Sequence, residues 1–350
     1  MLPAYVQRTA LDEEFYHRHL RHRLPAKMLD VHQHILKREF LANLDPQVRQ
    51  VDWAAQCYEE MTLEDSQAFA SLLFPDAAYE RNALTVVGKG ADLRAANAYL
   101  ADLLRQGRLR YAMMTLDPRW SDAETEKMLV EGGFTGFKPY PDLVTGQKAS
   151  EVSIFACIPP SKLEILNRHK KAMTLHIPRA GRLADARNTD EIKRIHDEYP
   201  NVRMIIAHLG RSYAIDVFAK GVELLGDYMH ELTFDLSAVL NPAVLDMALA
   251  TIRPDKLLWG TDLPVFMWHG RRRWTNTAYF NLAREDFPWN HHEEGPEAEA
   301  GYTFFLYEQV NNILDAIDRA GGGKDLANAI FYQNAKTLLE AARNEEGSLC

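Results

Sequence analysis

The chain of 350 residues is poor in cysteine. Its three, Cys57, Cys157 and Cys350, are too few and too scattered for a disulfide framework or a zinc ribbon. Basic residues are not in excess either: 40 lysines and arginines face 49 aspartates and glutamates, a net charge of −9. That balance argues against a nucleic-acid partner, because phosphate binding needs a basic footprint. No stretch approaches the ~20 apolar residues that span a bilayer. The opening MLPAYVQRTALDEEFYHRHL has no positive segment followed by an apolar run, so no secretory signal is read there. The expectation is a cytoplasmic chain without a membrane partner. Low-complexity linkers and internal repeats are missing too, and 47% hydrophobic with 25% charged residues excludes disorder as the dominant state. What the chain does have is histidine, 13 in all, and the question is which of them do chemistry.

Short apolar, β-branched runs alternate with amphipathic helical stretches. Strands are expected at 27–31, 84–87, 109–116, 134–138, 172–177, 202–207, 232–236 and 256–259. Helical patterns lie between them at 91–106, 122–131, 189–199, 213–225 and 242–251. Eight strands with intervening helices imply a single α/β domain, a (β/α)8 TIM barrel of ~250 residues before insertions. An N-terminal helical extension (1–26) precedes it, and residues 27–350 form the barrel domain. The surplus is expected in a partly helical excursion after the first strand (37–80) and an irregular Trp-, Arg- and His-rich segment after the eighth (263–300). Two closing helices over 302–343 are divided by Gly321-Gly322-Gly323. A doubly wound sheet would carry a Gly-rich phosphate turn after an early strand, and VVGKGAD (86–92) has no G-x-G-x-x-G.

The run Asp30-Val31-His32-Gln33-His34 ends the first strand. Side chains two apart on a strand share a face, so Asp30, His32 and His34 point together. At the C-terminal end of a barrel strand, that direction is the active-site mouth. Two imidazoles on one face can hold a divalent ion, although H-x-H pairs also arise by chance or in hydrogen-bond networks. His176 (TLHIP), His208 (IIAHLG) and Asp262 (LLWGTDLP) each end a later apolar strand at the same edge. One such histidine is ordinary strand capping. Four with an aspartate, spread over different strands, are hard to produce by packing alone, and imidazoles with a carboxylate are the ligand set of catalytic zinc.

The ordered set DVHQH, LHIP, AHLG and WGTDLP, with the closing YQNAKTLL (332–339), resembles the amidohydrolase superfamily. It is most similar to the amidohydrolase-related (type 2) branch containing aminocarboxymuconate-semialdehyde decarboxylase, pyrone-dicarboxylate lactonase and sugar-acid lactonases. The resemblance spans residues 27–339. It implies one divalent metal, Zn2+ or Mn2+, on His32, His34, His176 and Asp262, with His208 a catalytic histidine beside it. A bound metal lowers the pKa of its water towards ~7. Asp262 can then take a proton and pass it to the leaving group, while His208 serves the oxygen where charge develops. Lys138 (GFKPYP) ends the fourth strand, where two-metal members of the superfamily carry a carboxylated bridging lysine. The motif set looks like the one-metal branch, so Lys138 is read as an amine that contacts substrate, with a solvent-facing strand cap as the alternative. Some lactonases of the branch work without metal.

Loops that a barrel places around its mouth carry Asp117, Arg119 and Trp120 after the third strand and Tyr140 after the fourth. Arg179 and Arg182 follow the fifth strand, Arg211 and Tyr213 the sixth, and Trp268, His269 and the arginines at 271–273 the eighth. Arginines concentrated there in an acidic chain suggest an anionic or polyhydroxylated substrate, since guanidinium pairs bidentately with carboxylate. For 271–273 a solvated run is the competing reading. The expected substrate contacts are Lys138, Arg179, Arg211, Tyr140, Trp120 and His269. His17, His19, His22, His169, His196, His230, His291 and His292 read as surface or structural residues. Cys57 and Cys157 lack a neighbouring histidine to make a nucleophilic thiolate. The expected function is a metal-dependent hydrolase of a small lactone or amide, with Asp262 as general base and His208 assisting. A metal-dependent nonoxidative decarboxylase of a small carboxylic acid is the alternative on the same scaffold. A catalytically dead sugar-acid or metal-binding barrel is the reading from another class, and the completeness of the ligand-plus-acid set stands against it. The expected partners are a small-molecule substrate and a second copy in a homodimer.

Overall fold

The computed structural model describes residues 2–51, 60–85 and 88–343. Eight parallel strands follow one another around a barrel in chain order. They are β1 (Lys27–His34), β2 (Ala78–Leu84), β3 (Tyr111–Leu116), β4 (Gly136–Pro139), β5 (Ala172–Leu175), β6 (Arg203–Ile206), β7 (Thr233–Asp235) and β8 (Leu257–Leu258). The ring closes beyond β8, where Asp262 N donates to His32 O at 2.7 Å and His34 N donates to Leu263 O at 2.7 Å. The (β/α)8 barrel expected from the sequence is the fold.

Local chemistry explains the alternation. The helix Asp122–Glu131 starts behind Ser121, whose hydroxyl accepts from Glu124 N, and Pro242–Thr251 starts behind Asn241 with proline in its first turn. Two apolar layers result. Leu29, Met113, Ile205 and Leu258, each earlier in the chain than the polar residue that ends or follows its strand, pack in one cluster with Tyr332 and Leu339. The C-terminal helical run, Gly323–Asn328 continuing to Asn334–Arg343, therefore plugs the N-terminal end of the barrel and leaves the other end for the site. Outward-facing Phe137, Leu175 and Phe234 bury against the surrounding helices.

Two elements differ from expectation. The second strand, placed at 84–87 by hydropathy, lies at Ala78–Leu84, and Val86 and Val87 are outside the described residues, as are Cys57 and Cys350. Glu80, Arg81 and Asn82 hide this strand from an apolar-run reading, yet each has a partner. Arg81 Nε donates to Gln33 Oε1 at 3.1 Å, Asn82 Nδ2 to Val31 O at 3.0 Å, and Tyr332 OH to Glu80 Oε1 at 3.2 Å. The segment 263–300, read as irregular, contains an antiparallel hairpin of β9 (Gly270–Trp274) and β10 (Tyr279–Ala283). Three consecutive arginines masked its alternation: Arg272 is buried while Arg271 and Arg273 face out to Glu294 and Glu293. Among the described residues, no helix is long and apolar enough to cross a membrane.

Candidate metal centre

At the C-terminal end of the barrel, β1 delivers His32 and His34, β4 delivers Lys138, the turn after β6 delivers His208, and the turn after β8 delivers Asp262. Ligand atoms of His32, His208 and Asp262 all lie within 4.8 Å of one another. Asp262 Oδ1 is 3.4 Å from His32 Nε2 and 3.7 Å from His34 Nε2, and Asp262 Oδ2 is 3.9 Å from His208 Nε2. The sequence reading put His208 beside the metal rather than on it; here it is one of the three converging groups.

The rings are held from behind. His32 donates from Nδ1 to Asp235 Oδ2 at 2.9 Å, His34 from Nδ1 to the Thr85 carbonyl at 2.8 Å, and His208 from Nδ1 to the Ser237 carbonyl at 3.0 Å. A nitrogen that donates in this way leaves the other ring nitrogen with its lone pair facing inward, which is the tautomer a metal ligand needs. Asp235 also accepts from His208 N at 2.9 Å and from the Ser237 amide and hydroxyl, so one buried carboxylate sets two of the rings. Asp235 and Ser237 were missed in the sequence. Their signal was the same one that found the others, polar residues ending an apolar strand, here LTFDLS.

Burial pushes His32, His176 and His208 well below the ordinary imidazole range and His34 down to about 4. The four rings are therefore neutral near pH 7, the state that coordinates cations. Burial also drives Lys138 down and Asp262 up, against the mutual attraction of the two charges. Lys138 Nζ lies 2.8 Å from His32 Nε2, so the cation that satisfies this inward lone pair is the lysine itself. This donor chemistry fits a divalent ion: neutral inward nitrogens, a carboxylate, and fixed outer hydrogen bonds.

The remaining expected residues divide. Tyr140 OH is 3.3 Å from His34 Nε2, and its ring stacks at 5.9 Å on that of His176. His176 stands on this flank, 5.6 Å from His208 between ring centroids, with a buried Nδ1 that has no hydrogen-bond partner among the described residues. Arg211 borders His176 electrostatically and, among the described residues, donates to the carbonyls of Ile177 and Pro178. Arg179 is committed elsewhere: its guanidinium makes two bonds to Glu191, at 2.7 and 3.0 Å, and one to Asn188. Trp120 lies under Arg94 beside a cavity of about 470 Å³ that the metal-centre residues do not line. His269 is fully buried, with Nε2 3.1 Å from Asp12 and Nδ1 2.8 Å from Glu285. Both of its nitrogens hold the N-terminal helix and the hairpin segment together, and neither is free for a substrate.

Left-handed backbone gathers at the same place. Arg182, His208, Leu209, Arg211, Ala238 and Asp262 all have φ between 48° and 62°. Such non-glycine conformations cost about 1–3 kcal/mol each and persist where the surroundings enforce them, characteristically at functional sites. The turn after β6 thereby brings His208 back against β7, and the one after β8 brings Asp262 over β1.

Comparison with known proteins accords with the barrel fold. No curated protein gives a significant match to the sequence. A decarboxylase of dihydroxybenzoic acid from a Polaromonas species, solved with manganese and the inhibitor 2-nitroresorcinol, is 15% identical with a TM-score of 0.56, over 93% of this chain and 100% of that one. An amidohydrolase from Burkholderia multivorans with bound HEPES is 13% identical with a TM-score of 0.58, over 90% and 99%. The 5-carboxyvanillate decarboxylase of Novosphingobium aromaticivorans with bound manganese is 14% identical with a TM-score of 0.55, over 89% and 97%. At these identities the likeness is one of fold. The amidohydrolase family model matches residues 29–340, nearly the whole barrel, and the chain belongs to that family.

Proposed function

We propose that this chain is a metal-dependent enzyme acting on a small acid or lactone, its divalent ion held by His32, His208 and Asp262 with His34 alongside. The observation that carries the reading is the convergence of two imidazole nitrogens and a carboxylate within 4.8 Å, each imidazole oriented from behind by a buried hydrogen bond. His176 and Tyr140 flank the same space and would border the substrate or complete the ligand set. When bound, such an ion polarises a substrate oxygen and acidifies a water.

The chain's own residues supply the proton chemistry. In hydrolysis, Asp262 takes the proton of the attacking water and delivers it to the departing oxygen or nitrogen, which balances the reaction. His208, with Nδ1 fixed on Ser237 O, presents Nε2 beside Asp262 where it can steady developing charge. Lys138 and Tyr140 add donors at the same end of β4. Hydrolysis of a lactone or amide is the first reading because Asp262 lies beside both His32 and His208, as a shared base must.

Nonoxidative decarboxylation is the second reading, favoured by the two neighbours of like fold that are manganese-containing decarboxylases. There a carbon–carbon bond breaks, CO2 leaves, and the electron pair left on carbon takes a proton that protonated Asp262 can give. A panel of lactones and of hydroxybenzoic acids, followed by acid release and by CO2 release, separates the two. Turnover of neither class by manganese- or zinc-loaded protein would refute both.

A further inference from the structure

Around the mouth, arginines fall into two groups. Arg119 pairs with Asp117, Arg179 with Glu191, Arg271 with Glu294 and Arg273 with Glu293. Arg182, Arg211 and Arg272 have no carboxylate within ion-pair distance among the described residues, and their hydrogen bonds go to neutral oxygens. Arg272 is the extreme case. It is only 5% exposed, and its guanidinium donates to Asn281 Oδ1 at 2.7 Å and to the Ala238 carbonyl.

These charges converge on two tyrosines. The guanidinium carbon of Arg272 lies 4.9 Å from the Tyr213 ring and 4.5 Å from the Tyr279 ring; that of Arg182 lies 5.4 Å from each. Tyr213 in turn stands 6.2 Å from the His208 ring, and its hydroxyl has no hydrogen-bond partner among the described residues. Two guanidiniums against the same pair of rings repel each other, and burial strengthens the repulsion. Aromatic faces offset this only in part. Nor is backbone economy the reason for Arg182 and Arg211: both sit at left-handed φ, 56° and 60°, where glycine would be unstrained. The side chains are held there against the backbone's preference without a carboxylate in ion-pair contact among the described residues, and Asp262 attracts Arg272 only from beyond that distance.

We propose that Arg182 and Arg272, walled by Tyr213 and Tyr279 and supported by Arg211, form a subsite for a carboxylate of the substrate remote from its reacting group. The inference rests on the proposed reading of the metal centre and extends it. The substrate is a small organic acid whose carboxylate docks on the arginine pair while its other end meets His208 and Asp262. The planar guanidinium fork matches a carboxylate with two parallel bonds, and Tyr213 offers its free hydroxyl as a further donor.

The test is calorimetric titration of phthalate, an unreactive aromatic dicarboxylate, and separately of inorganic phosphate. Both are titrated into manganese-loaded and chelator-stripped wild-type protein and into Arg182→Gln and Arg272→Gln. Expected is phthalate binding to wild type with or without manganese, weakened at least tenfold in each variant while manganese affinity stays within twofold. If buried Arg272 proves necessary for folding, Arg182→Gln, at a partly exposed position, decides alone. Equal phthalate affinity in wild type and Arg182→Gln overturns the subsite, as does binding of phosphate but not phthalate. Phthalate binding by protein that takes up no manganese keeps the subsite and refutes the metal reading, so the two fail separately.

Discussion

Lys138 Nζ lies 2.8 Å from His32 Nε2, the nitrogen that a metal would use. An ammonium and a divalent ion cannot both occupy that position. Coulomb repulsion between a single and a double positive charge about 4 Å apart is worth about 8 kcal/mol at an effective dielectric of 20, much of it relieved when the flexible side chain swings aside. Lys138→Met is therefore expected to bind Mn2+ about tenfold more tightly, measured by competition with a chromophoric chelator. Weaker binding in that variant would mean that Lys138 is itself a ligand, as a carboxylated lysine would be.

Asp235 sets two rings at once, through His32 Nδ1 and the His208 amide. Mutation of a group that orients ligands from behind typically costs 10–100-fold in metal affinity. Asp235→Asn should fall in that range with Asp262 untouched. An unchanged affinity by the same chelator assay would show that the rings hold their positions without it.

Asp262 has a φ of 62°, a conformation that asparagine tolerates well. Asp262→Asn is thus expected to fold with a melting temperature within a few degrees of wild type and to lose at least a thousandfold in kcat, because the proton-transfer group is gone. Near-normal turnover would remove Asp262 from its role as the base.

Buried neutral histidines make stability depend on pH. His34 titrates at about 4 in the fold against 6.5 in the unfolded chain, so between those values the unfolded state binds the proton and the folded state does not. Stability is complete above pH 6.5 and falls as pH drops towards 4, by about 3 kcal/mol from His34 alone. His32, His176 and His208 shift the same way and add to the loss. Urea unfolding of metal-free protein at pH 7.5, 6, 5 and 4.5 measures it; a flat profile would contradict neutral burial of these rings.

His269 gives a contrasting expectation. Its removal leaves Asp12, with no exposed surface, short of a charged partner, and breaking a buried pair costs about 3–5 kcal/mol. His269→Ala should lower the melting temperature markedly and leave metal stoichiometry and KM unchanged. A raised KM at unaltered stability would restore the substrate role that its position in the sequence suggested.

The barrel was legible because its strands end in polar residues after apolar runs: His32, His176, His208 and Asp262 could be placed on strand ends from spacing alone. β2 was misplaced because its polar residues are satisfied by partners distant in sequence, Gln33 and Tyr332, which periodicity does not record. Arginine proximity in sequence misled for the same reason. Arg179 follows His176 closely yet is spent on Glu191, whereas Arg272, in a run that looked solvated, is buried against Tyr213. Which charges remain unpaired is a property of the folded neighbourhood, not of order along the chain.

The central claim is that His32, His208 and Asp262 hold one divalent ion. Anomalous diffraction at the manganese edge from crystals equilibrated with Mn2+ tests it most directly. The account predicts one ion per chain, bonded at roughly 2.0–2.3 Å to His32 Nε2, His208 Nε2 and an Asp262 oxygen, with Lys138 displaced from His32. A density map with no ion among these three groups, and Lys138 still in contact with His32, would contradict it.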